Sequence, residues 1–240
     1  MRGTTPAGAH TEQEASAWVR GMFGRIAPRY DLVNHVLSFN IDRRWRAYTV
    51  GKVRHILERP GARVLDICCG TGDLLLALKN GGGAAVLGSD FCHPMLLAAK
   101  EKSRATPLFE ADALRLPLPD ASLDLITVAF GFRNLTNYEG GLREMCRVLK
   151  PGGTAAILEF SQPPNRLFAA VNAIYCRRIL PWIGGALTGS RDAYTYLPES
   201  IKKFPDAPRL VEMMRASGFD DARFDYLTAG SVALHLGTRR

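Results

Sequence analysis

The chain has 240 residues, 47% hydrophobic and 22% charged, a balance that reads as an ordinary globular protein with one large domain and a full core. Its five cysteines, Cys68, Cys69, Cys92, Cys146 and Cys176, form an odd set with no Cys-x-x-Cys spacing and no nearby histidine pair, which argues against a disulfide framework and against zinc and leaves reduced thiols serving as small core residues. A formal net charge of +8 favours an anionic contact, whether nucleic acid, a phospholipid surface or an acidic ligand, while no stretch reaches the roughly 18 uninterrupted apolar residues of a membrane span.

Residues 1–15 are polar, small and interrupted by proline and glycine, without the apolar core of a signal peptide, so they read as a flexible tail on a cytoplasmic protein. Residues 16–240 are expected to form a single domain. Helical spacing runs over Glu12–Gly21 and Asp42–Glu58. From Arg63 onward, short β-branched or apolar runs alternate with helical patterns, the order expected of an α/β fold with a parallel sheet covered by helices. Strands are expected at Arg63–Cys69, Ala84–Asp90, Thr106–Glu110, Leu123–Phe130, Gly153–Phe160, Ala222–Leu227 and Ser231–Gly237. Helices are expected at Asp73–Asn80, Pro94–Ser103, Glu139–Leu149 and Ala207–Ser217, with Lys150-Pro151-Gly152-Gly153 as a stop signal followed by a turn. The short turn at Ala229-Gly230 makes the last two strands antiparallel partners. Residues 162–200 are expected to form a helical insertion before the last helix, covering the acceptor site. There Leu167, Phe168, Val171, Ile174, Tyr175, Ile179, Leu180, Trp182 and Ile183 recur at helical spacing beside Arg177 and Arg178. This pattern fits a cover over an acceptor site that touches a bilayer, and equally a buried helix at a dimer or core interface.

The strongest local signal is Val64-Leu65-Asp66-Ile67-Cys68-Cys69-Gly70-Thr71-Gly72-Asp73, a buried strand running into a glycine-bearing turn that opens a helix. It places a ligand at the carboxyl end of the first strand, where glycines let the backbone approach closely and a helix amino terminus favours a carboxylate. A dinucleotide fingerprint wants a third glycine where Leu75 stands, so a pyrophosphate is not the expected ligand. The second strand ends in Gly88-Ser89-Asp90-Phe91, putting a carboxylate where ribose hydroxyls would lie and an aromatic ring beside a base. Asp90 also suits a helix cap before Pro94. Asp112, in Ala111-Asp112-Ala113-Leu114, can accept a hydrogen bond from an adenine amino group or stand as a solvated loop aspartate.

Further pieces are narrower: Phe23-Gly24-Arg25-Ile26-Ala27-Pro28-Arg29-Tyr30-Asp31 with Asn34; Ala129-Phe130-Gly131-Phe132-Arg133-Asn134; Arg147-Val148-Leu149-Lys150-Pro151-Gly152-Gly153; Leu158-Glu159-Phe160-Ser161; and Tyr196-Leu197-Pro198-Glu199-Ser200-Ile201 with Phe204-Pro205. With these the chain resembles the class I methyltransferases, and within them the ubiquinone/menaquinone biosynthesis C-methyltransferase family, from about Met22 to the carboxyl terminus. The resemblance implies a Rossmann-like sheet of seven strands, mostly parallel with an antiparallel last strand, helices on both faces and additional N-terminal helices. It implies S-adenosyl-L-methionine as cofactor, bound by Thr71, Asp90, Asp112 and Ala113, with Gly70 and Gly72 shaping the loop and Phe91 beside the adenine. Some relatives carry serine where Ala129 stands, which here offers only backbone. His93 reads as a surface residue at a helix start rather than a base.

The implied reaction is methylation of a polyprenylated quinol ring, with demethylmenaquinol the favoured acceptor and 2-methoxy-6-polyprenyl-1,4-benzoquinol the alternative. Methyl transfer to carbon needs an electron-rich ring, hence the reduced quinol, and loss of a phenolic proton pushes density onto the neighbouring carbon. Arg133 is expected to stabilise the phenolate, Asn134 to hold an oxygen, and Asp112 or a water to take the proton. A structural ion pair is the rival role for Arg133. Tyr30, Asp31 and Asn34 fit either a lid or a packed helix. A nucleic-acid methyltransferase is disfavoured, because no Pro-Pro-aromatic run follows the fourth strand, no Pro-Cys dipeptide occurs and no basic stripe is interleaved with aromatics. A non-catalytic adenosylmethionine-binding scaffold is the other rival, and the complete acceptor-side motifs speak against it. The expected location is cytoplasmic, peripheral at the inner face of the cell membrane, and pairing with a second copy is left open.

Overall fold

The computed structural model describes residues 3–165, 168–170, 174–175 and 191–240, the side chains of 191–194 excepted. Seven strands form one sheet: β1 (Arg63–Ile67), β2 (Ala85–Asp90), β3 (Leu108–Glu110), β4 (Leu123–Ala129), β5 (Leu149–Phe160), β6 (Phe219–Leu227) and β7 (Val232–Arg239). Their order is β3-β2-β1-β4-β5-β7-β6, with β7 running antiparallel to both its neighbours and the other pairs parallel. The eight described helices are α1 (Glu12–Ile26), α2 (Tyr30–Leu37), α3 (Ile41–Leu57), α4 (Asp73–Lys79), α5 (His93–Lys102), α6 (Tyr138–Val148), α7 (Arg191–Lys203) and α8 (Ala207–Ala216).

Strand alternation divides the core into two layers. Leu65, Ile67, Ile126, Val128, Ala155 and Ile157 face one side and pack with Leu142 and Met145 of α6 and Leu210 and Met214 of α8. Val64, Leu125, Ala156 and Leu158 face the other and pack with Val53 and Ile56 of α3 and Leu74, Leu75 and Leu78 of α4. A third cluster joins Val19 and Met22 of α1, Val33 and Leu37 of α2, Met95 of α5 and Tyr196 of α7. It ties the N-terminal helices to the sheet domain.

The strand limits differ from the sequence reading for local reasons. β5 begins at Leu149 rather than Gly153: Leu123 pairs with Leu149, the register shifts, and pairing resumes at Leu125 with Thr154, so the Lys150–Gly153 turn is taken up inside the strand. β6 begins at Phe219 rather than Ala222, with a shift between Asp220 and Arg223 and Asp221 at φ 49°. β3 starts only at Leu108, because Thr106 closes a turn on Ser103 through backbone and side chain and Pro107 has no N–H to give.

Part of the N-terminal segment read as a flexible tail is held in place. The Thr4 N–H donates to Leu135 O at 2.8 Å, its hydroxyl lies 2.6 Å from the Tyr196 hydroxyl, and Lys203 Nζ donates to Thr5 O. A capping box between Thr11 and Glu14 then starts α1 inside that segment. In the insertion, Phe168, Ile174 and Tyr175 are described. Leu167, Val171, Cys176, Arg177, Arg178, Ile179, Leu180, Trp182 and Ile183 lie outside the described residues.

Candidate active site

β1 has β2 on one side and β4 on the other, so the loops leaving β1 and β4 part at the carboxyl edge and open a crevice there. After β1 the backbone turns through left-handed conformations at Cys68 (φ 49°), Gly70 (φ 55°) and Gly72 (φ 87°), and Gly72 becomes the cap of α4. A Cβ on Gly72 would also stand 3.3 Å from Ala99 Cβ, so the glycine serves both the turn and the approach of α5. Across the crevice, a Cβ on Gly131 would stand 2.4 Å from Cys68 Cβ. That contact brings the loop after β4 directly onto the loop after β1.

Two cavities meet at this junction. The smaller, about 60 Å³, is lined by Asp90, Phe91, Asp112, Ala113 and Asn134. The larger, about 290 Å³ and mostly apolar, is lined by Trp45, Asp66, Thr71, Phe130, Arg133 and Ser161 among others. Phe23, Tyr30, Cys68, Gly70, Ala129 and Phe130 line both. Tyr175, Tyr196 and Leu197, from the region read as a cover, line the larger cavity.

Of the residues expected to hold the cofactor, Asp90, Phe91, Asp112 and Ala113 line the smaller cavity, Thr71 the larger and Gly70 both, while Gly72 lines neither. Asp90 is buried; its carboxylate accepts from the Gly70 N–H at 2.8 Å and the Cys92 N–H at 2.9 Å, linking the end of β2 to the glycine loop. Burial pushes its pKa up to about 6 despite those donors. The helix-cap role does not fall to Asp90: α5 is capped by Cys92, with no side-chain bond. Phe91 carries the Arg20 guanidinium over its ring, and Ala113 is buried beside the exposed Asp112. Asp112 accepts from the Leu114 N–H at 2.9 Å and keeps further acceptor capacity. The Thr71 hydroxyl donates to Asp31, which also meets Lys102. A buried carboxylate for a diol, a ring for a base and a loop bearing Gly70 and Gly72 fit adenosylmethionine. His93 is exposed beside Glu110 at the first residue of α5, as a surface position requires.

The expected catalytic residues do not share one cavity. Arg133 lines the larger, whereas Asn134 and Asp112 line the smaller. Asn134 Oδ1 accepts from the Tyr196 hydroxyl at 3.1 Å. Arg133 is buried, pairs with the fully buried Glu159 at 2.9 Å and lies over the Phe160 ring, so the structural ion pair is present. Its Nε nevertheless has no partner, and neither does the buried Ser161 Oγ. The only other such side-chain atom among the described residues, His235 Nδ1, does not line either cavity. Two unsatisfied polar atoms thus accompany the large cavity, where leaving each unpaired costs about 1–3 kcal/mol.

Several residues of this site carry no motif-level signal of their role. Asp66 lies inside the glycine-loop signature, yet only the fold shows its buried carboxyl on the larger cavity, accepting from Thr127 Oγ1 at 2.7 Å and pushed by burial up to a pKa of about 7. Tyr30, grouped with a lid or packed helix, sits where the two cavities meet; burial raises its pKa, against the Arg133 charge and a hydrogen bond with Asn34. Glu159 was visible only as part of a motif. Among the described residues His35, Asp42 and Asp73 bring ligand atoms close together, but Arg46 already bonds Asp42 and stands 3.4 Å from Asp73, supplying the positive charge there.

A model of the ubiE/COQ5 methyltransferase family matches residues 10–239. The chain is similar to a demethylmenaquinone methyltransferase of Thermus thermophilus, 48% identical over 91% of this chain and 100% of that one. It is similar as well to a ubiquinone/menaquinone biosynthesis C-methyltransferase UbiE of Burkholderia mallei, 40% identical over 95% of each. In fold it matches a SAM-dependent methyltransferase from Thermotoga maritima with a TM-score of 0.65 at 18% identity, covering 92% of this chain and 99% of that one.

Proposed function

The chain belongs to the ubiE/COQ5 methyltransferase family, and from that premise we propose that it transfers a methyl group from S-adenosyl-L-methionine to a ring carbon of demethylmenaquinol. The observation that carries the acceptor is the large apolar cavity joined to the smaller one through Tyr30, Cys68, Gly70 and Phe130, with Arg133 Nε and Ser161 Oγ unpaired beside it. A naphthoquinol ring is apolar with two hydroxyls, which matches an apolar cavity holding a few polar atoms.

When bound, adenosylmethionine supplies an electrophilic methyl on a sulfonium. Asp90 is placed to accept from the ribose hydroxyls, Phe91 to lie beside the adenine and Asp112 with Ala113 to meet its edge. Arg133 holds a fixed positive charge beside the cavity, stabilising an oxygen that becomes phenolate, and does so without reorganising because Glu159 and Phe130 O already orient it. The Ser161 hydroxyl donates to or accepts from a ring oxygen. Asn134, being on the smaller cavity and bonded to Tyr196, positions the loop after β4 rather than the acceptor. Asp112 is likewise badly placed to take the acceptor's proton. Asp66 lines the acceptor cavity with a pKa of about 7, matched to accepting a proton near neutral pH, and we assign that role to it.

The polyprenyl tail keeps the acceptor in a membrane, so the protein works as a peripheral visitor to the bilayer surface. Among the described residues no helix is long and apolar enough to cross a membrane. The test is incubation of the purified protein with labelled adenosylmethionine and, in parallel, reduced demethylmenaquinol, its oxidised form and 2-methoxy-6-polyprenyl-1,4-benzoquinol. Label should enter the reduced demethylmenaquinol and not the oxidised form. Label in the benzoquinol would assign the ubiquinone step as well, a reading supported by the name of the Burkholderia relative. Label in neither quinol would overturn the proposal.

A further inference from the structure

Large apolar side chains are exposed at few places among the described residues, and several of those places adjoin one another. Leu32 is 58% exposed and Val36 43%, one turn apart on α2; Phe39, three residues on, is 73% exposed. Ile174 is 57% exposed, and its neighbour Tyr175 closes the group, with its ring 6.4 Å from that of Phe39 and its hydroxyl donating to Leu37 O. Leu37, Ser38, Phe39 and Tyr175 line the larger cavity, so this apolar patch borders the cavity itself.

The backbone holds Phe39 outward against its own preference. Phe39 and Asn40 take left-handed conformations in succession, φ 52° and 58°, which a phenylalanine rarely adopts. The turn thus leaves an aromatic ring available for contact at the edge of the patch. The charges around it share one sign. Over residues 25–44 the exposed charged side chains are Arg25, Arg29, Arg43 and Arg44, all cationic. The two acids of that stretch are engaged elsewhere: Asp31 pairs with Lys102, and Asp42 with His35 and Arg46.

We propose that the outer face of α2, continued by Phe39, docks the protein on an anionic phospholipid bilayer, with the apolar side chains at the headgroup–acyl boundary and the arginines on lipid phosphates. A second copy of the chain is the poorer occupant, because face-to-face pairing would bring two cationic rims together. The purpose of the contact rests on the quinol reading: a cavity bordering the membrane admits the ring while the isoprenoid tail stays in lipid. The docking surface itself rests on the exposed patch and its charge.

Vesicle flotation tests it, using phosphatidylglycerol-containing vesicles, pure phosphatidylcholine vesicles, and three variants: Leu32→Ser with Val36→Ser, Arg43→Glu with Arg44→Glu, and Arg177→Glu with Arg178→Glu. Wild type should float with the anionic vesicles and less at high salt, and each of the first two variants should partition at least about tenfold more weakly. Leu32 and Val36 line neither cavity, so their variant should keep wild-type turnover on a short-tailed, water-soluble quinol while losing turnover on vesicle-embedded quinol. The surface is overturned if wild type stays unbound at low salt, if the Leu32/Val36 variant or the Arg43/Arg44 variant floats like wild type, or if only the Arg177/Arg178 variant loses binding. It is overturned too if wild type sediments as a dimer that the Leu32/Val36 variant dissociates. Flotation as expected with no methylation of any quinol would sink the functional reading and leave the surface standing.

Discussion

Arg133 has two duties that a single truncation would confound. Its guanidinium neutralises Glu159, which is fully buried, so Arg133→Ala would strand a charge at a cost of about 3–5 kcal/mol in addition to any catalytic loss. Arg133→Met combined with Glu159→Gln removes both charges together. That double variant should melt near the wild-type temperature and bind adenosylmethionine normally, yet lose turnover; wild-type turnover would take Arg133 out of the chemistry. The Ser161 hydroxyl makes no hydrogen bond, so Ser161→Ala should leave stability intact and raise the quinol KM by about three- to tenfold, the worth of one hydrogen bond. On the cofactor side, Asp90→Ala should weaken adenosylmethionine binding by about 1.5–3 kcal/mol in calorimetry, and unchanged affinity would reject the ribose assignment. Asp66 adds a pH signature. As the base it must be ionised, so kcat/KM for the quinol should fall as pH drops through about 7, and Asp66→Asn should lose that limb together with part of its rate.

The elements most readable in the sequence were those whose pattern is local. The buried run Val64–Ile67 and the glycine turn after it needed no partner to be recognised, and β1, α4, β2 and α6 lie within a few residues of where periodicity puts them. What escaped was pairing. The bulges that extend β5 and β6 exist because Leu149 finds Leu123 and Phe219 finds Arg239, contacts made across the sheet and absent from any window of sequence. The helix α2 escaped a firm assignment for the same reason: eight residues are too few to declare themselves, and it is held from outside. Lys102 of α5 reaches Asp31 of α2 and Asp73 of α4, and Thr71 of the glycine loop donates to Asp31. This partly exposed network is a latch of about 1 kcal/mol. Lys102→Met should therefore leave global stability nearly unchanged, while amide exchange in α2 and adenosylmethionine dissociation both quicken about fivefold. Equal exchange in the two proteins would show that α2 does not open through this contact.

At the scale of the whole molecule, the candidate site was readable as a set of residues but not as an arrangement. Gly70, Thr71, Asp90 and Phe91 pointed to a crevice at the carboxyl edge and do line the two cavities there, whereas the separation of Arg133 from Asp112 into different cavities depends on how the loops after β1 and β4 pack at Gly131. The same burial that builds the cavities sets the pH response of the entire fold. Asp66 and Asp90 have raised pKa values, so their contribution to stability is complete below about pH 4 and is lost as pH rises through about 7 and 6. His235 works in the opposite direction. It is buried on β7 against Phe224, its Nε2 donates to Ala207 O at 3.2 Å, and burial outweighs that bond to push its pKa down to about 4. Between that value and the ordinary 6.5 the unfolded chain binds a proton that the folded chain refuses, so stability present above pH 6.5 is lost as the pH falls towards 4. At about 1.4 kcal/mol per pH unit the loss is on the order of 3 kcal/mol, a sizeable share of the net stability of a domain. His235→Gln keeps a donor for Ala207 O without the titration. Urea midpoints measured from pH 7 to pH 4.5 should fall more steeply for the wild type than for this variant, with the difference growing only below pH 6.5. Parallel curves would mean that His235 is not what couples folding to acid.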